Sequence, residues 1–289
     1  MPRLRFGLPM WSNNNWPGRF YAADARSGDF LRQYAGVFDT VEGNTTFYAI
    51  PSEASVQAWA QAVPAGFRFS FKMPKMITHD LKLQRCDEAL HAFMDRMQPL
   101  HGKMGPVMIQ LPPAFDGTAL PLLAQFVKKL PAMYRYSVEV RHPDFFNNSE
   151  AQQQLHDLLA RYRMERVCFD CRALFSADDN STATLEAQRK KPNLPLFEVP
   201  VIKTPMLRFV GHPVITENAD FFAVWVEKIA QWLAAGKEPY IFMHMGDNSE
   251  APALARELYS QVQARLPELP DLPDFPVNRQ GSDGQISLF

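Results

Sequence analysis

Eight short apolar runs, each followed by a stretch of helical period, set the tightest limit on what this chain can fold into. The runs fall near 3–8, 37–42, 67–72, 105–111, 135–141, 166–171, 206–210 and 239–244. Between them, apolar residues recur at three- and four-residue spacing. Asp29–Gly36 carries Phe30, Leu31 and Tyr34, and Asp87–Leu100 carries Leu90, Phe93, Met94 and Met97. Leu120–Leu130 repeats this with Leu123, Phe126, Val127 and Leu130, and a further stripe holds Leu155, Leu158, Leu159 and Tyr162. Phe221–Leu233 and Ala253–Leu266 close the series, and Ser52–Val63 opens on a serine cap with Glu53 displaced from the capping-box position. Strand alternating with helix eight times, at intervals of roughly 30–40 residues, predicts an α/β protein built as a single (β/α)8 TIM barrel. A doubly wound open sheet usually carries a glycine-rich turn after its first strand. Here that strand runs into Gly7-Leu8-Pro9-Met10-Trp11-Ser12, with no such turn.

The 289 residues suit one barrel, and 46% hydrophobic residues supply its core. No apolar run approaches the ~20 residues needed to cross a bilayer, and Met1-Pro2-Arg3-Leu4-Arg5 leads into a strand pattern rather than a signal peptide. Three cysteines without a framework fit a reducing compartment, so a soluble cytoplasmic protein is expected. The net charge of −1 argues against strong direct DNA binding, which normally needs a basic excess. Two segments depart from the repeat. Ala173–Pro205 makes a long excursion between the sixth and seventh strands, with a short helix predicted over Ser181–Lys190 and the basic run Arg189-Lys190-Lys191. The barrel domain is expected over 1–266 and a Pro/Asp/Gly-rich tail with little packed structure over 267–289.

The strands end in polar residues. Val138-Glu139-Val140-Arg141-His142-Pro143 finishes a β-branched run in a carboxylate, a guanidinium and an imidazole. Val41-Glu42-Gly43-Asn44-Thr45-Thr46, Phe69-Ser70-Phe71-Lys72, Val107-Met108-Ile109-Gln110, Cys168-Phe169-Asp170-Cys171-Arg172 and Ile241-Phe242-Met243-His244 do the same. Unpaired charge near a core costs several kcal/mol, so such endings point to a polar pocket at the C-terminal face of a barrel. That rule predicts a mouth displaying Trp11, Glu42, Asn44, Tyr48, Lys72, Gln110, Glu139, Arg141, His142, Asp170, Arg172, Arg208 and His244. The plainer alternative is acids and bases neutralising one another in a wet barrel top. Six charged strand ends exceed what closure needs, and buried ion pairs are weak stabilisers, which favours a site. No cofactor is required by any motif. A divalent metal at Glu42, Glu139, Asp170 and His244 is the sharper option, but Lys72, Arg141, Arg172 and Arg208 would crowd and repel a cation there. The mixture suits a small anionic ligand better. In Cys168-Phe169-Asp170-Cys171, residues three apart on a strand face opposite ways, so the pair reads as core packing. The Arg189-Lys190-Lys191 run reads most simply as a solvated face, and its place in the mouth-side excursion offers contact with an anionic ligand as the alternative.

Several of these motifs together resemble one family, the bacterial domain of unknown function family 72, or YecE-like proteins. They are Val41-Glu42-Gly43-Asn44-Thr45-Thr46-Phe47-Tyr48 with Ile50-Pro51, Phe67-Arg68-Phe69-Ser70-Phe71-Lys72, Ile109-Gln110-Leu111-Pro112 and Val138-Glu139-Val140-Arg141-His142-Pro143. The resemblance runs from about residue 5 to 266 and implies a (β/α)8 barrel. The recurring polar positions of the family match Glu42, Asn44, Lys72, Gln110, Glu139, Arg141, His142 and Asp170, and Thr45 stands where many relatives have serine. The resemblance implies no particular reaction.

Two kinds of function follow. One is an acid–base enzyme, a hydrolase or lyase acting on a phosphorylated or otherwise anionic small molecule or nucleotide end. In it Glu139 or Asp170 is the base, His244 or His142 the acid partner, and Glu42 a further catalytic candidate. Arg141, Arg208 and Lys72 hold the anion, assisted by Asn44, Gln110 and Arg172, while Trp11 and Tyr48 wall the pocket. The other is a non-catalytic ligand-sensing module. Gln285-Ile286-Ser287-Leu288-Phe289 resembles the pentapeptide with which bacterial proteins bind the DNA sliding clamp, so either kind could be recruited through the tail. Docking of that tail on the protein itself is the alternative.

Overall fold

The computed structural model describes residues 3–279. Its strands are β1 (Arg5–Leu8), β2 (Thr40–Gly43), β3 (Arg68–Phe71), β4 (Val107–Gln110), β5 (Tyr136–Glu139), β6 (Glu165–Asp170), β7 (Met206–Val210) and β8 (Tyr240–His244). Each falls on one of the eight runs marked by the sequence, with β2 ending one residue after its run and β6 starting one residue before its own. They pair in parallel in the order β3-β2-β1-β8-β7-β6-β5-β4. The remaining seam is spanned by two isolated parallel bridges, Phe69 with Met104 and Lys72 with Met108. There the Gly105 amide donates to the Phe69 carbonyl at 2.8 Å and the Met73 amide to the Met108 carbonyl at 2.9 Å. The ring of eight strands is the TIM barrel.

Helices alternate with the strands: α1 (Ser27–Ala35), α2 (Thr45–Tyr48), α3 (Glu53–Ala62), α4 (Asp87–Met97), α5 (Leu120–Val127), α6 (Glu150–Arg161), α7 (Arg172–Phe175), α8 (Thr182–Lys190), α9 (Ala219–Ala234), α10 (Ala251–Arg265) and α11 (Pro276–Arg279). Serine caps fix the starts of α3 and α6. Ser52 accepts from the Ser55 amide at 3.1 Å, and Ser149 from the Gln152 amide at 3.0 Å. The period of two along each strand sorts the core into two regions. Outward residues such as Phe6, Leu8, Val41, Phe69, Ile109, Val138, Leu207 and Ile241 join the helix stripes in one continuous shell. Met108, Val167, Met206, Tyr240 and Phe242, with Phe169 against them, form a separate cluster that fills the barrel. The barrel is therefore dry below its mouth.

The excursion between β6 and β7 is held at three points. Glu165 accepts the Val201 and Ile202 amides at 2.7 and 3.1 Å. The buried Arg166 guanidinium lies 3.8 Å from the Phe197 ring and 4.8 Å from Phe146. Third, Gln188 on α8 donates to the Leu174 and Ala177 carbonyls at 3.0 Å each. Ser181 caps α8, as its sequence position suggests, by accepting from the Thr184 amide at 3.2 Å. The short α7 has no counterpart in the sequence pattern.

The tail is a correction. Residues 267–279, expected to be unpacked, lie against the barrel: Leu269, Leu272 and Phe275 join the main core. Tyr259 donates to the Pro270 carbonyl at 2.7 Å, Arg256 lies 4.0 Å from the Phe275 ring, and Phe275 meets Phe20 edge-on at 5.0 Å. The folded unit thus runs past 266. Gln285, Ile286, Ser287, Leu288 and Phe289 lie outside the described residues.

If Phe197 anchors the excursion, Phe197→Ala should speed protease cleavage within 191–205 while lowering global stability by about 2 kcal/mol or less. Limited proteolysis beside a urea melt checks this, and an unchanged cleavage rate contradicts the anchor.

Candidate functional site

Six strands, with the residues that directly follow them, deliver charge or polarity to one end of the barrel. Glu42 closes β2 one residue before Gly43, where a Cβ would run into the Phe71 ring. Glycine lets the chain pass that ring and leaves the buried Glu42 carboxylate aimed inward. Arg208 reaches it from β7 in a bidentate pair, Nε to Oε2 at 2.6 Å and Nη2 to Oε1 at 2.8 Å. Its third nitrogen, Nη1, donates to Glu139 Oε2. One guanidinium, 1% exposed, therefore ties β2 to β5 across the barrel. Arg141 stands two residues beyond Glu139 and shares its face. It donates through Nε to Glu139 Oε1 at 2.7 Å and through Nη2 to Gln110 Oε1 at 3.0 Å. Lys72 Nζ lies 3.8 Å from Glu42 Oε1, and His244 Nε2 lies 3.4 Å from Glu42 Oε2 without hydrogen-bond geometry. Phe169 is the floor, its ring 5.0 Å from the Arg208 guanidinium and 5.7 Å from that of Arg141.

The pairing sets the protonation states. Burial alone would raise the Glu139 pKa, but Arg208, Arg141 and Lys72 outweigh it and bring it to about 2. Glu42 goes the same way, burial overcome by Arg208, His244 and Lys72, and stays well below the usual carboxylate range. Burial, only partly offset by Glu42, pushes His244 down to about 3, so its imidazole is neutral at pH 7. Lys72 falls to about 7 through burial and the nearby Arg208 charge, against the pull of Glu42 and Glu139. Lys191 falls to about 8 through burial and Arg208. Two lysines, rather than two carboxylates, carry the labile protons of the mouth.

Above this ring is a cleft of about 490 Å³. Asn44, Phe47, Tyr48, Lys72, Gln110 and Arg141 line its barrel side, and Gly246 and Asp247 follow β8 into it. Its roof is one face of α8 and the residue after it: Ala183, Glu186, Ala187, Lys190 and Lys191. Ala187 packs with Cys171, Leu174 and Val210, which holds that face over the mouth. Asn44 Nδ2 donates to the Pro9 carbonyl at 2.9 Å, while its buried Oδ1 has no protein partner. Tyr48 stands at the rim, 81% exposed, rather than as an enclosing wall. Larger cavities of about 690 and 780 Å³ exist, but neither touches the charged ring.

Four residues expected at the mouth face elsewhere. Phe169 points inward, so Asp170, the next residue on β6, points out to the helices. There it accepts from Trp225 Nε1 at 2.8 Å and from Arg172 Nε and Nη2 at 3.0 and 2.9 Å. Arg172 goes with it, 5.6 Å from the Phe221 ring. His142, one residue past Arg141, caps the turn Pro143–Phe145 by accepting from the Asp144 amide at 3.2 Å. Trp11 packs edge-on against Trp59 at 5.2 Å and Phe69 at 6.0 Å, among outward-facing residues. The four donors considered for a metal therefore do not converge. Asp170 is on the other face, and Arg208 occupies the space between Glu42 and Glu139. Among the described residues no group of three or more His, Cys, Asp or Glu is placed to hold a metal ion. The three cysteines are free and buried, as core packing requires. Phe169, Phe47 and the α8 roof were missed as site residues. Only Lys190 and Lys191 left a trace in the sequence, as part of a basic run.

A family model described as "Protein of unknown function DUF72" matches residues 5–278. The protein named UPF0759 protein YecE from Escherichia coli (strain K12) is 39% identical over 274 residues, which is 94% of this chain and 97% of that protein. Its counterpart in Escherichia coli O157:H7 is 38% identical over the same coverage. Among solved structures, a DUF72 family protein from Enterococcus faecalis V583 superposes with a TM-score of 0.66 at 20% identity, covering 93% of this chain and 98% of that one. A DUF72 family protein from Thermotoga maritima MSB8 gives 0.66 at 20% identity over 92% and 100%. These two share the fold.

Removing Arg208 takes both hydrogen-bonded donors from the buried Glu42 carboxylate, leaving Lys72 at 3.8 Å, and takes one of two guanidinium partners from Glu139. Arg208→Met should cost about 3–5 kcal/mol in urea unfolding, and a loss below about 1 kcal/mol would sink the central role given to it. Acid should act through the same ring. His244 is held neutral between its ordinary 6.5 and about 3, and Glu139 is held ionised between 4.5 and about 2. In both windows the unfolded chain binds more protons, so stability falls as pH falls. The melting temperature should drop between pH 6.5 and 4, and His244→Asn should flatten that segment of the curve. An unchanged slope in the variant refutes the assignment.

Proposed function

The chain belongs to the DUF72 family, and we propose that its barrel mouth is the active site of an acid–base enzyme acting on a phosphorylated or carboxylated small molecule. Hydrolases and lyases are the reaction classes this suits. One observation carries the reading: both buried carboxylates are already taken by Arg208, while Lys72, Arg141 and Lys191 turn towards the cleft. Arg141 spends Nε and Nη2 on Glu139 and Gln110. Among the described residues its Nη1 has no partner, which leaves one end of a fork suited to phosphate or carboxylate. Arg208 is committed on all three nitrogens, so it positions Glu42 and Glu139 rather than gripping a ligand.

The same pairing redistributes the chemistry. Glu139, at about 2, is too weak a base for proton abstraction near neutral pH. Lys72, at about 7, is matched to that task. His244 is neutral, with Nε2 lacking a hydrogen-bond partner, and is suited to accept or donate through its ring as its tautomer dictates. Asn44 Oδ1 supports a polar ligand, because a buried carbonyl oxygen without a partner costs about 1–3 kcal/mol until something donates to it.

A panel of phosphorylated and carboxylated metabolites should contain compounds that raise the melting temperature of the wild type. A charged hydrogen bond contributes about 1.5–3 kcal/mol, so Arg141→Ala and Lys191→Ala should each weaken such a ligand by roughly tenfold or more. Arg172→Ala, outside the cleft, should leave affinity unchanged. Absence of any anion-induced shift, or equal weakening by Arg172→Ala, overturns the proposal.

A further inference from the structure

We propose that Lys72 is a nucleophile that forms an imine with a carbonyl substrate, so that the ligand of the cleft is an aldehyde or ketone that also carries a phosphate or carboxylate. This rests on the anion-binding reading above and narrows it to a substrate class.

The geometry is that of a lysine presented for attack. Its backbone is pinned where β3 ends: the Lys72 amide donates to the Gly43 carbonyl at 3.4 Å, and the Lys72 carbonyl accepts from Thr46 Oγ1 at 2.7 Å. The side chain is almost wholly buried, yet it lines the cleft. Its ion-pair partner, Glu42, is 3.8 Å away, beyond hydrogen-bond distance, and is itself taken by Arg208. The ammonium is thus neutralised at a distance without having its nitrogen blocked. A buried lysine beside a second cation loses basicity, and near pH 7 roughly half of Lys72 is the free amine that can attack.

The step balances without a further reagent. The Nζ lone pair forms a bond to the carbonyl carbon, and the carbonyl π pair moves to oxygen. One amine hydrogen moves to that oxygen, and a proton from the surrounding water lets it leave the carbinolamine as water. The product is a protonated imine whose single positive charge is that of the proton taken up. Two features suit that cation. Glu42 remains 3.8 Å from Nζ as a counter-charge, and the Phe47 ring lies 5.5 Å from Nζ, within cation–π range. Gln110 and Asn44 line the same cleft as polar groups for the carbinolamine, and Arg141 and Lys191 bear on the anionic end. An imine of this kind withdraws electrons from the neighbouring carbon, which is the activation that a carbon–carbon or carbon–oxygen lyase needs.

The test is reductive trapping. The full chain is incubated with pyruvate or glycolaldehyde phosphate and cyanoborohydride, and the adduct is located by peptide mass spectrometry. The expected result is about one adduct per chain on Lys72 with at least one probe. Its formation should be half-maximal near pH 7 rather than near the ordinary lysine pKa of 10.5, slowed by inorganic phosphate, and absent in Lys72→Met. Mapping on the wild type needs no variant, so poor folding of Lys72→Met does not blunt the test. An adduct on Lys191, or spread over surface lysines such as Lys129, overturns the assignment, as does no adduct from either probe. Thermal shifts with inorganic phosphate and pyruvate, measured in parallel, separate the two claims. A shift without a Lys72 adduct removes the imine and leaves the anion site standing, whereas no shift and no adduct removes both.

Discussion

Arg208 is one guanidinium holding two carboxylates from opposite sides of a closed barrel, and the arrangement of the mouth follows from it. Bringing three charges out of water is expensive, and an apolar trio of the same volume would often serve stability as well. What the ionic trio supplies is position. Glu42 is fixed by a bidentate pair, Glu139 by the third nitrogen, and Arg141 is then fixed by Glu139 and Gln110. Lys72, Gln110 and Arg141 take their place or their protonation state from that chain of contacts, while Asn44 is held separately by the Pro9 carbonyl. Phe169 lies beneath the guanidiniums as part of the apolar barrel filling, and burial is the largest cause of the downward shifts in Lys72 and His244.

The fold could be read from the alternation of elements, because a period-two run followed by a period-3.6 stripe is a local signal that survives in one sequence. The site was only partly legible, and the failures share a cause. Being at the end of a strand says which end of the barrel a residue occupies. Parity says which face, and parity was needed as well. Glu139 and Arg141 are two residues apart and share the inward face, whereas Asp170 is one residue from the inward-facing Phe169 and so points outward, and the same one-residue offset separates His142 from Arg141. Trp11 sits in a loop and Arg172 opens the one-turn α7, where the side chain follows local packing against Trp59 and Phe221 and no period is long enough to read.

The α8 roof was illegible for a different reason. Its face, Ala183, Glu186, Ala187, Lys190 and Lys191, has helical spacing but is mixed in chemistry, so nothing in the pattern says what it covers. Its location depends on non-local contacts: the Gln188 bonds to α7, the Ala187 cluster, and the anchoring of the excursion by Glu165 and by Arg166 against Phe197. The packing of 267–279 is similar. A Pro/Asp-rich composition suggests a linker, yet Leu269, Leu272 and Phe275 recur at three-residue spacing, and that spacing outweighs composition once a helix surface is available beside them.

The electrostatics of the cleft also constrain where a ligand can put its charge. An anion placed directly on Lys72 would stabilise the ammonium and undo the shift that makes the amine available. An anion placed near Arg141 and Lys191 does so much less, since those cations take up its charge first. A substrate whose anionic group lies at the α8 side and whose reactive carbon lies over the strand ends satisfies both demands. The carboxylates then act as fixed counter-charges that change neither protonation state nor position near neutral pH, and proton movement is left to the lysine and the neutral histidine on either side of Glu42. Under the proposed function such a mouth would separate recognition from chemistry along one axis, with Arg208 as the immobile part between them.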